Sequence, residues 1–119
     1  MVADESAFSS EDVLKIIRMG AADLINIKLM KTGGIHKALE ICTLAEEAEI
    51  ECMIGCMLES KVSVTAAAHL AAAKRVITRC DLDTPFLCRE DPIEGGIQYK
   101  GDCITLFDQP GLGFKVIRE

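Results

Sequence analysis

The sequence predicts an α/β fold, namely part of a TIM-type (β/α) barrel of about four parallel strands with three helices, followed by a tail that carries a β-hairpin. Two observations predict it. Short apolar runs alternate with stretches of helical periodicity, and the spacing of about 25 residues per unit suits a (β/α) barrel. Repeated βαβ units of this kind have parallel strands joined by right-handed crossovers.

The first two units of the pattern have clear boundaries. Residues 1–3 form a short strand, and Ser9 or Ser10 is suited to cap the helix that follows. Glu11 and Asp12 stand in its first turn, where the helix dipole favours acidic residues, and Gly20 closes it. A strand over 24–28, a turn over 32–34 and a helix over 35–48 make the second unit.

The third unit consists of a strand over 51–55 and a helix over 61–74. This helix holds two alanine triplets, 66–68 and 71–73, and such small residues let a helix lie close to a sheet. A fourth strand over 76–80 completes the series.

The pattern changes after Asp83, where proline and glycine become frequent. The runs 97–99 and 103–106 flank Lys100-Gly101-Asp102, which predicts a β-hairpin with a short loop. We expect no helix beyond residue 84. The predicted organisation is therefore a partial barrel over 1–84 and a tail over 85–119.

Composition excludes several classes of partner. The net charge of −6 argues against nucleic acid, which requires clustered Lys and Arg. No apolar run reaches the roughly 18–20 residues of a membrane span, and no signal peptide is visible. The six cysteines are expected to be reduced, mostly buried thiols of a cytoplasmic protein. His36 and His69 stand on helices, and neither is assigned to a metal.

Polar residues stand just past three of the predicted strands. Asp4 follows the first strand, Lys28 ends the second, and Asp81 and Asp83 follow the fourth. In a parallel barrel these groups gather at one mouth, which is where such barrels carry out their chemistry. The chain begins abruptly at a strand, so we expect it to be part of something longer and to carry part of an active site.

Each of these residues also has a simpler interpretation. Asp4 could cap the turn near Ser6, Lys28 could be a solvated strand-end charge, and Asp81 and Asp83 could form a polar turn. Glu59 follows the third strand and fits a place at the mouth or a surface capping role equally well. Lys31 is expected to be a solvated loop lysine.

Five segments read together carry a resemblance to a known family. They are Ala3-Asp4-Glu5-Ser6, Asn26-Ile27-Lys28-Leu29-Met30-Lys31-Thr32-Gly33-Gly34, Gly55-Cys56-Met57-Leu58-Glu59-Ser60, Asp81-Leu82-Asp83 and Pro110-Gly111-Leu112-Gly113. The series resembles the C-terminal barrel half of the enolase superfamily, in its muconate-lactonizing branch. Within that branch it is most similar to the dipeptide epimerases, typified by L-Ala-D/L-Glu epimerase.

The resemblance implies a role for each of these residues. Asp4 would be a ligand of an essential Mg²⁺, and Lys28 would be one of two catalytic lysines. Asp81 and Asp83 would hold the α-ammonium of a dipeptide substrate, with Glu59 as a further candidate at the mouth. The chemistry would be removal and return of an α-proton through an enediolate, whose charge Mg²⁺ stabilises. A lysine serves as the base if desolvation and nearby cations lower its pKa.

The other lysine, the other metal ligands and the capping domain of that family have no counterpart in this sequence. We therefore expect the chain to need either the N-terminal half of the barrel or a second copy of itself. Two alternatives remain: a muconate cycloisomerase or o-succinylbenzoate synthase fragment, whose substrates lack an α-ammonium, and a non-catalytic half barrel that pairs with itself.

Overall fold

The computed structural model describes residues 1–117 and contains one four-stranded parallel sheet. The order of strands in the sheet follows the chain, as expected for successive βαβ units. The strands are β1 (Val2–Ala3), β2 (Leu24–Lys28), β3 (Glu51–Gly55) and β4 (Ile77–Asp81). The predicted partial barrel is confirmed, and Asp81 is the last residue of β4 rather than the first residue after it.

Four helices connect these strands: α1 (Ser10–Arg18), α2 (Leu29–Thr32), α3 (Ile35–Glu47) and α4 (Lys61–Ala73). Ser9 caps α1, because its hydroxyl accepts from the backbone of Asp12 while the Asp12 carboxylate accepts from the backbone of Ser9. Helix α2 was not predicted. It has four residues, which is too short to show helical periodicity, and Gly33 in a left-handed conformation ends it.

The hydrophobic core lies between the sheet and its helices. Ile25 and Ile27 of β2 and Ile54 of β3 are fully buried, together with Ile41 of α3 and Val64 of α4. β-Branched side chains fill such a layer well, because their restricted rotamers suit strands that are buried. This buried layer holds the strands in place, and with them the strand ends.

The opposite face of the sheet is more open. Val2, Leu24 and Glu51 are neighbours across β1, β2 and β3, so their side chains share this face. Val2 remains 48% exposed, and Glu51 forms an exposed ion pair with Arg79 of β4 at 2.6 Å. In a closed barrel this face would point inward.

The tail forms two small antiparallel pairs. Strands β6 (Gln98–Lys100) and β7 (Cys103–Thr105) make the predicted hairpin. Strand β5 (Ile93–Gly95) pairs with β8 (Phe114–Ile117), and a 3-10 helix covers Thr84–Leu87. Neither was predicted, and the expectation of no helix beyond residue 84 was wrong for that single turn. These elements of three or four residues lie among prolines and glycines and show no sustained period.

The division at residues 84 and 85 stays a prediction. Within the described tail, Ile97 is 2% exposed and joins the same hydrophobic core as the sheet. Its backbone N–H also donates to the Thr65 hydroxyl of α4. Residues 118 and 119 of the predicted tail lie outside the described residues.

The six cysteines differ in exposure. All six are free thiols; Cys42 and Cys52 are fully buried, and Cys56 is partly buried. Cys80, Cys88 and Cys103 are exposed, so the expectation that most would be buried was wrong. Cys80 lies on the last strand of the sheet, and the other two lie in the tail. None of the helices in residues 1–117 combines the length and the apolar character needed to cross a membrane.

Candidate active site

The carboxyl ends of β2, β3 and β4 carry a row of three residues in register. Lys28 pairs with Gly55, and Gly55 pairs with Asp81. Neighbours across parallel strands point to the same face, so Lys28 and Asp81 share the open face of the sheet. Their backbones lie two strand spacings apart, or roughly 10 Å. The residue between them is glycine, and the Asn26 side chain of β2 lies against it, with Oδ1 2.9 Å from the place that a Cβ of residue 55 would take.

A cluster of opposite charges lies beside this row, at the end of β1. The carboxylate of Asp4 accepts from two lysines, with Oδ2 at 3.0 Å from Lys28 Nζ and Oδ1 at 2.9 Å from Lys31 Nζ. Lys28 also contacts Glu5 at 3.2 Å. The structure thus brings together Asp4 and Lys28, two of the predicted site residues. Asp4 points at lysines rather than capping its own turn.

Lys31 was expected to be a solvated loop lysine, and this was wrong. Its side chain is only 2% exposed, because helix α2 folds it back over the end of the sheet. Its ammonium also lies 5.7 Å from the centre of the Phe8 ring. The sequence carried no signal for this, because the four-residue helix that turns Lys31 towards the mouth is too short to show helical periodicity.

The lysines determine the protonation of Asp4. Burial acts to raise the pKa of Asp4, but the hydrogen bonds and charges of Lys31 and Lys28 outweigh it, so the pKa lies below its ordinary value. The hydrogen bond from Asp4 raises the pKa of Lys28, against the effect of burial and with further support from Glu5. In this chain Lys28 is therefore held as an ammonium. The sequence-based expectation for a catalytic lysine was a lowered pKa.

The acidic pair Asp81 and Asp83 is exposed at the end of β4. Neither carboxylate forms a hydrogen bond or ion pair with another residue in the described part of the chain. The backbone of the turn, by contrast, is held firmly: Cys56 Sγ donates to the Asp81 carbonyl, and the Tyr99 hydroxyl donates to the Leu82 carbonyl. Two acceptors are thus presented on a fixed turn, free to bind a cation.

Glu59 is not part of either group. It is 5% exposed, and its two carboxylate oxygens accept from the Met57 backbone at 3.0 Å and from the Ser63 hydroxyl. Both oxygens are engaged within the β3–α4 segment, and the side chain is buried, so it does not have the expected surface capping role. A substrate-binding role for Glu59 stays a prediction. The position of Glu59 after β3 in the sequence did not show whether its side chain would point to the mouth or into the β3–α4 segment.

Asp4 is the group best suited to a hard cation. Its carboxylate lies at the mouth and is 38% exposed, and carboxylate oxygens are the ligands that Mg²⁺ prefers. The described residues contain no group of three side chains able to hold a metal ion together. Asp4 therefore fits as one ligand of a site that needs further ligands from elsewhere.

Comparison with known proteins identifies the family. The family model "Enolase C-terminal domain-like" matches residues 1–119. The L-Ala-D/L-Glu epimerase of Clostridium acetobutylicum is 62% identical over 117 residues, which cover 98% of this chain and 33% of that protein.

Two relatives of solved structure have the same fold. A substrate-liganded complex of the L-Ala-D/L-Glu epimerase from Bacillus subtilis matches with a TM-score of 0.92 at 49% identity, covering 95% of this chain and 32% of that one. A dipeptide epimerase from Cytophaga hutchinsonii, complexed with Mg and D-Ala-L-Val, matches with a TM-score of 0.92 at 40% identity, covering 97% and 32%.

The chain belongs to the enolase superfamily and corresponds to its C-terminal barrel half. The relatives reported above are dipeptide epimerases, which confirms the resemblance stated from the motifs. The chain spans about one third of the length of these relatives.

Proposed function

We propose that this chain supplies the C-terminal catalytic part of a Mg²⁺-dependent dipeptide epimerase. The observation that carries the proposal is the row formed by Lys28, Gly55 and Asp81, with an ammonium at one end, a carboxylate at the other and a glycine between them. Such a row suits a substrate that presents a cation at one end and an acidic C–H bond near the other.

The dimensions of a dipeptide suit this row. With standard backbone geometry, its α-ammonium lies roughly 5 Å from the α-carbon of the second residue. Asp81 and Asp83 offer free carboxylates to that ammonium, an interaction strengthened by the charge on both partners. The second α-carbon then falls between Gly55 and Lys28, within reach of a flexible lysine side chain.

Lys28 is the residue that we assign to proton transfer. As a neutral amine its Nζ accepts the α-proton; the C–H bonding pair moves into the carboxyl group and forms an enediolate. Return of a proton to the opposite face of that carbon gives the epimer, and return to the same face regenerates the starting dipeptide. Proton transfer requires that Lys28 first lose its contacts with Asp4 and Glu5, since both favour its charged form.

Asp4 is the residue that we assign to the metal. When bound, Mg²⁺ would engage the negative charge of Asp4 and stabilise the charge that develops on the substrate carboxylate. One carboxylate does not hold Mg²⁺ unaided, so the remaining ligands have to come from a complementing segment.

Epimerisation also needs a second base on the opposite face of the α-carbon. Lys31 does not meet this need, because its side chain is buried and its ammonium is bound to Asp4. We propose that the second base and the remaining ligands come from an N-terminal barrel half. A second copy of this chain is the other candidate complement, and it would close the sheet without supplying them in the required positions.

Two further assignments follow. The dipeptide relatives and the two free carboxylates do not favour a muconate cycloisomerase or o-succinylbenzoate synthase, because those substrates have no ammonium for Asp81 and Asp83 to bind. We also propose a cytoplasmic location, which agrees with six cysteines that are all free thiols.

A segment-swap enzyme tests this function. In it, the matched segment of the Clostridium acetobutylicum epimerase is replaced by residues 1–119 of this chain. The enzyme is incubated with L-Ala-L-Glu and Mg²⁺ in D₂O, and mass spectrometry follows the gain of one deuterium at the α-carbon. We expect exchange and epimerisation, and loss of both with Lys28→Ala. An inactive swap enzyme that is folded and binds Mg²⁺ would refute the proposal.

The acidic pair has its own test in the same enzyme. Asp81→Ala or Asp83→Ala removes a charge-assisted hydrogen bond, which lowers kcat/KM by roughly 10- to 100-fold. Asp108→Ala, at an exposed carboxylate of the tail, is the matched control and should leave kcat/KM unchanged. N-acetylated dipeptide separates the roles further. This substrate lacks the ammonium, so Asp81→Ala should not slow its turnover. If Asp81→Ala left the turnover of the free dipeptide unchanged, Asp81 would not bind the ammonium.

A further inference from the structure

We propose that Lys31 is a positioning residue, whose ammonium holds the Asp4 carboxylate in the orientation that binds the metal. This inference rests on the proposed function, because that function makes Asp4 a metal ligand. The inference goes beyond the proposed function, because Lys31 would touch neither the metal nor the substrate.

The contacts of the Lys31 ammonium carry the argument. Nζ donates to Asp4 Oδ1 at 2.9 Å, to the backbone carbonyl of Asp4 at 2.5 Å and to the backbone carbonyl of Asn26 at 3.2 Å. A lysine ammonium has three donors, and these three acceptors use all of them. Lys31 therefore fixes both the side chain and the main chain of Asp4, and fastens them to the neighbouring strand β2.

The surroundings of Lys31 hold it in place. Leu29 and Thr32, its companions in α2, are 7% and 6% exposed and anchor the helix to the protein. The ammonium also lies over the Phe8 ring, 5.7 Å from its centre. A charge buried in this way is stable only with its partners in place, because removal of a partner leaves an uncompensated charge.

Lys28 contacts the same carboxylate in a different way. Its side chain is 12% exposed, and its partners are Asp4 Oδ2 and the exposed Glu5. It can turn towards the substrate row without leaving a backbone acceptor unpaired, whereas Lys31 cannot move without losing two. The two lysines therefore have different roles. Lys31 keeps its hydrogen bond to Asp4 Oδ1, and Lys28 gives up its contact with Asp4 Oδ2 to reach the substrate.

Two effects of Lys31 on a bound cation oppose each other. Its positive charge repels the cation, so its removal would tighten binding if charge dominated. Its hydrogen bonds orient Asp4, so its removal would weaken binding if orientation dominated. We infer that orientation dominates, because the ammonium holds the Asp4 main chain as well as its carboxylate. Loss of such an outer partner usually lowers metal affinity by roughly 10- to 100-fold.

The segment-swap enzyme tests this inference with Lys31→Met, which keeps an apolar side chain and removes the ammonium. Isothermal titration with Mg²⁺ in the absence of substrate should give a dissociation constant raised at least about tenfold. At saturating Mg²⁺, kcat should stay within about threefold of the parent, since a positioning residue acts through metal occupancy. Lys37→Met, at a lysine on α3 that is 55% exposed, is the matched control and should change neither quantity.

A Mg²⁺ dissociation constant in folded Lys31→Met that is unchanged or smaller would overturn the inference. Circular dichroism establishes folding. If Lys31→Met does not fold, Lys31→Gln, which keeps a donor without the charge, takes its place under the same criteria. Failure of the unsubstituted swap enzyme to epimerise would count against the proposed function alone, because the titration measures Mg²⁺ binding without turnover.

Discussion

The space above Gly55 is the feature whose energetics are most directly measurable. A Cβ at this position would lie 2.9 Å from Oδ1, 3.2 Å from Nδ2 and 3.4 Å from Cγ of Asn26. Asn26 is 6% exposed, so its side chain has little room to turn away. Overpacking of this kind costs about 1–3 kcal/mol. Gly55 does not have a positive φ, so alanine can adopt its backbone conformation. Alanine also lowers the conformational entropy of the unfolded chain, which stabilises the folded state by about 0.4–1 kcal/mol. Gly55→Ala should therefore lower the free energy of unfolding by about 0–2.6 kcal/mol.

Removal of the opposing side chain should reverse the sign. Asn26 Oδ1 is buried and has no hydrogen-bond partner in the part of the chain that the structure describes. Asn26→Ala therefore removes no hydrogen bond at that oxygen and clears the space that a Cβ at position 55 would occupy. In that background Gly55→Ala should be neutral or stabilising by up to about 1 kcal/mol. The two changes should be coupled by about 1–3 kcal/mol.

The assay is urea unfolding of the four proteins of this double-mutant cycle, followed by far-UV circular dichroism. Equal slopes would show that the midpoints report the free energy of unfolding. Leu39→Ala, on the partly exposed side of α3, serves as the control partner and should add independently to Gly55→Ala. If the Gly55 and Asn26 substitutions were additive within about 0.5 kcal/mol, the proposed clash would be refuted.

Two further predictions concern single groups. Burial raises the pKa of Cys52 to about 12. Iodoacetamide at pH 8 should therefore modify the exposed Cys103 in the folded protein and reach Cys52 only after unfolding. Equal rates of modification of the two cysteines, measured by mass-spectrometric peptide mapping, would contradict this. The pKa of Asp4 is lowered on folding, so its stabilising contribution is present above the unfolded value of 3.8 and is lost as pH falls through the lowered folded value. Thermal unfolding from pH 6 to pH 2 should show this loss, and Asp4→Asn should remove part of it. If the plots of stability against pH for Asp4→Asn and the unsubstituted protein were parallel, the contacts of Asp4 with the lysines would be excluded as the cause.

The sequence was sufficient to locate the strand ends and their polar residues. Strand β2 is buried over its first four residues, so Lys28 stood out as the charge at its end. Asp81 and Asp83 stood out as two acidic residues after the run 76–80. The shared register of these two residues required the pairing through Gly55. No pattern within one strand contains that information.

The charge cluster was not predictable in the same way. Lys31 and Asp4 are 27 residues apart, and the four-residue helix that brings them together shows no periodicity. The direction of the pKa shift of Lys28 likewise depends on which carboxylates its side chain contacts, here Asp4 and Glu5. The pairing of β5 with β8 across the tail was hidden for a similar reason, since strands of three or four residues carry almost no alternation.

The hydroxyl of Tyr99 ties the turn that carries Asp81 and Asp83 to a hairpin 17 residues further along the chain. A ribosome delivers the chain from its N-terminus, so β4 and its acidic turn emerge before their support exists. The sheet can assemble as its strands appear, whereas the acidic turn acquires its final position only after the hairpin has been synthesised and has packed. In a growing polypeptide, the end of the mouth that carries Asp81 and Asp83 is thus completed later than the end that holds Asp4 and Lys28.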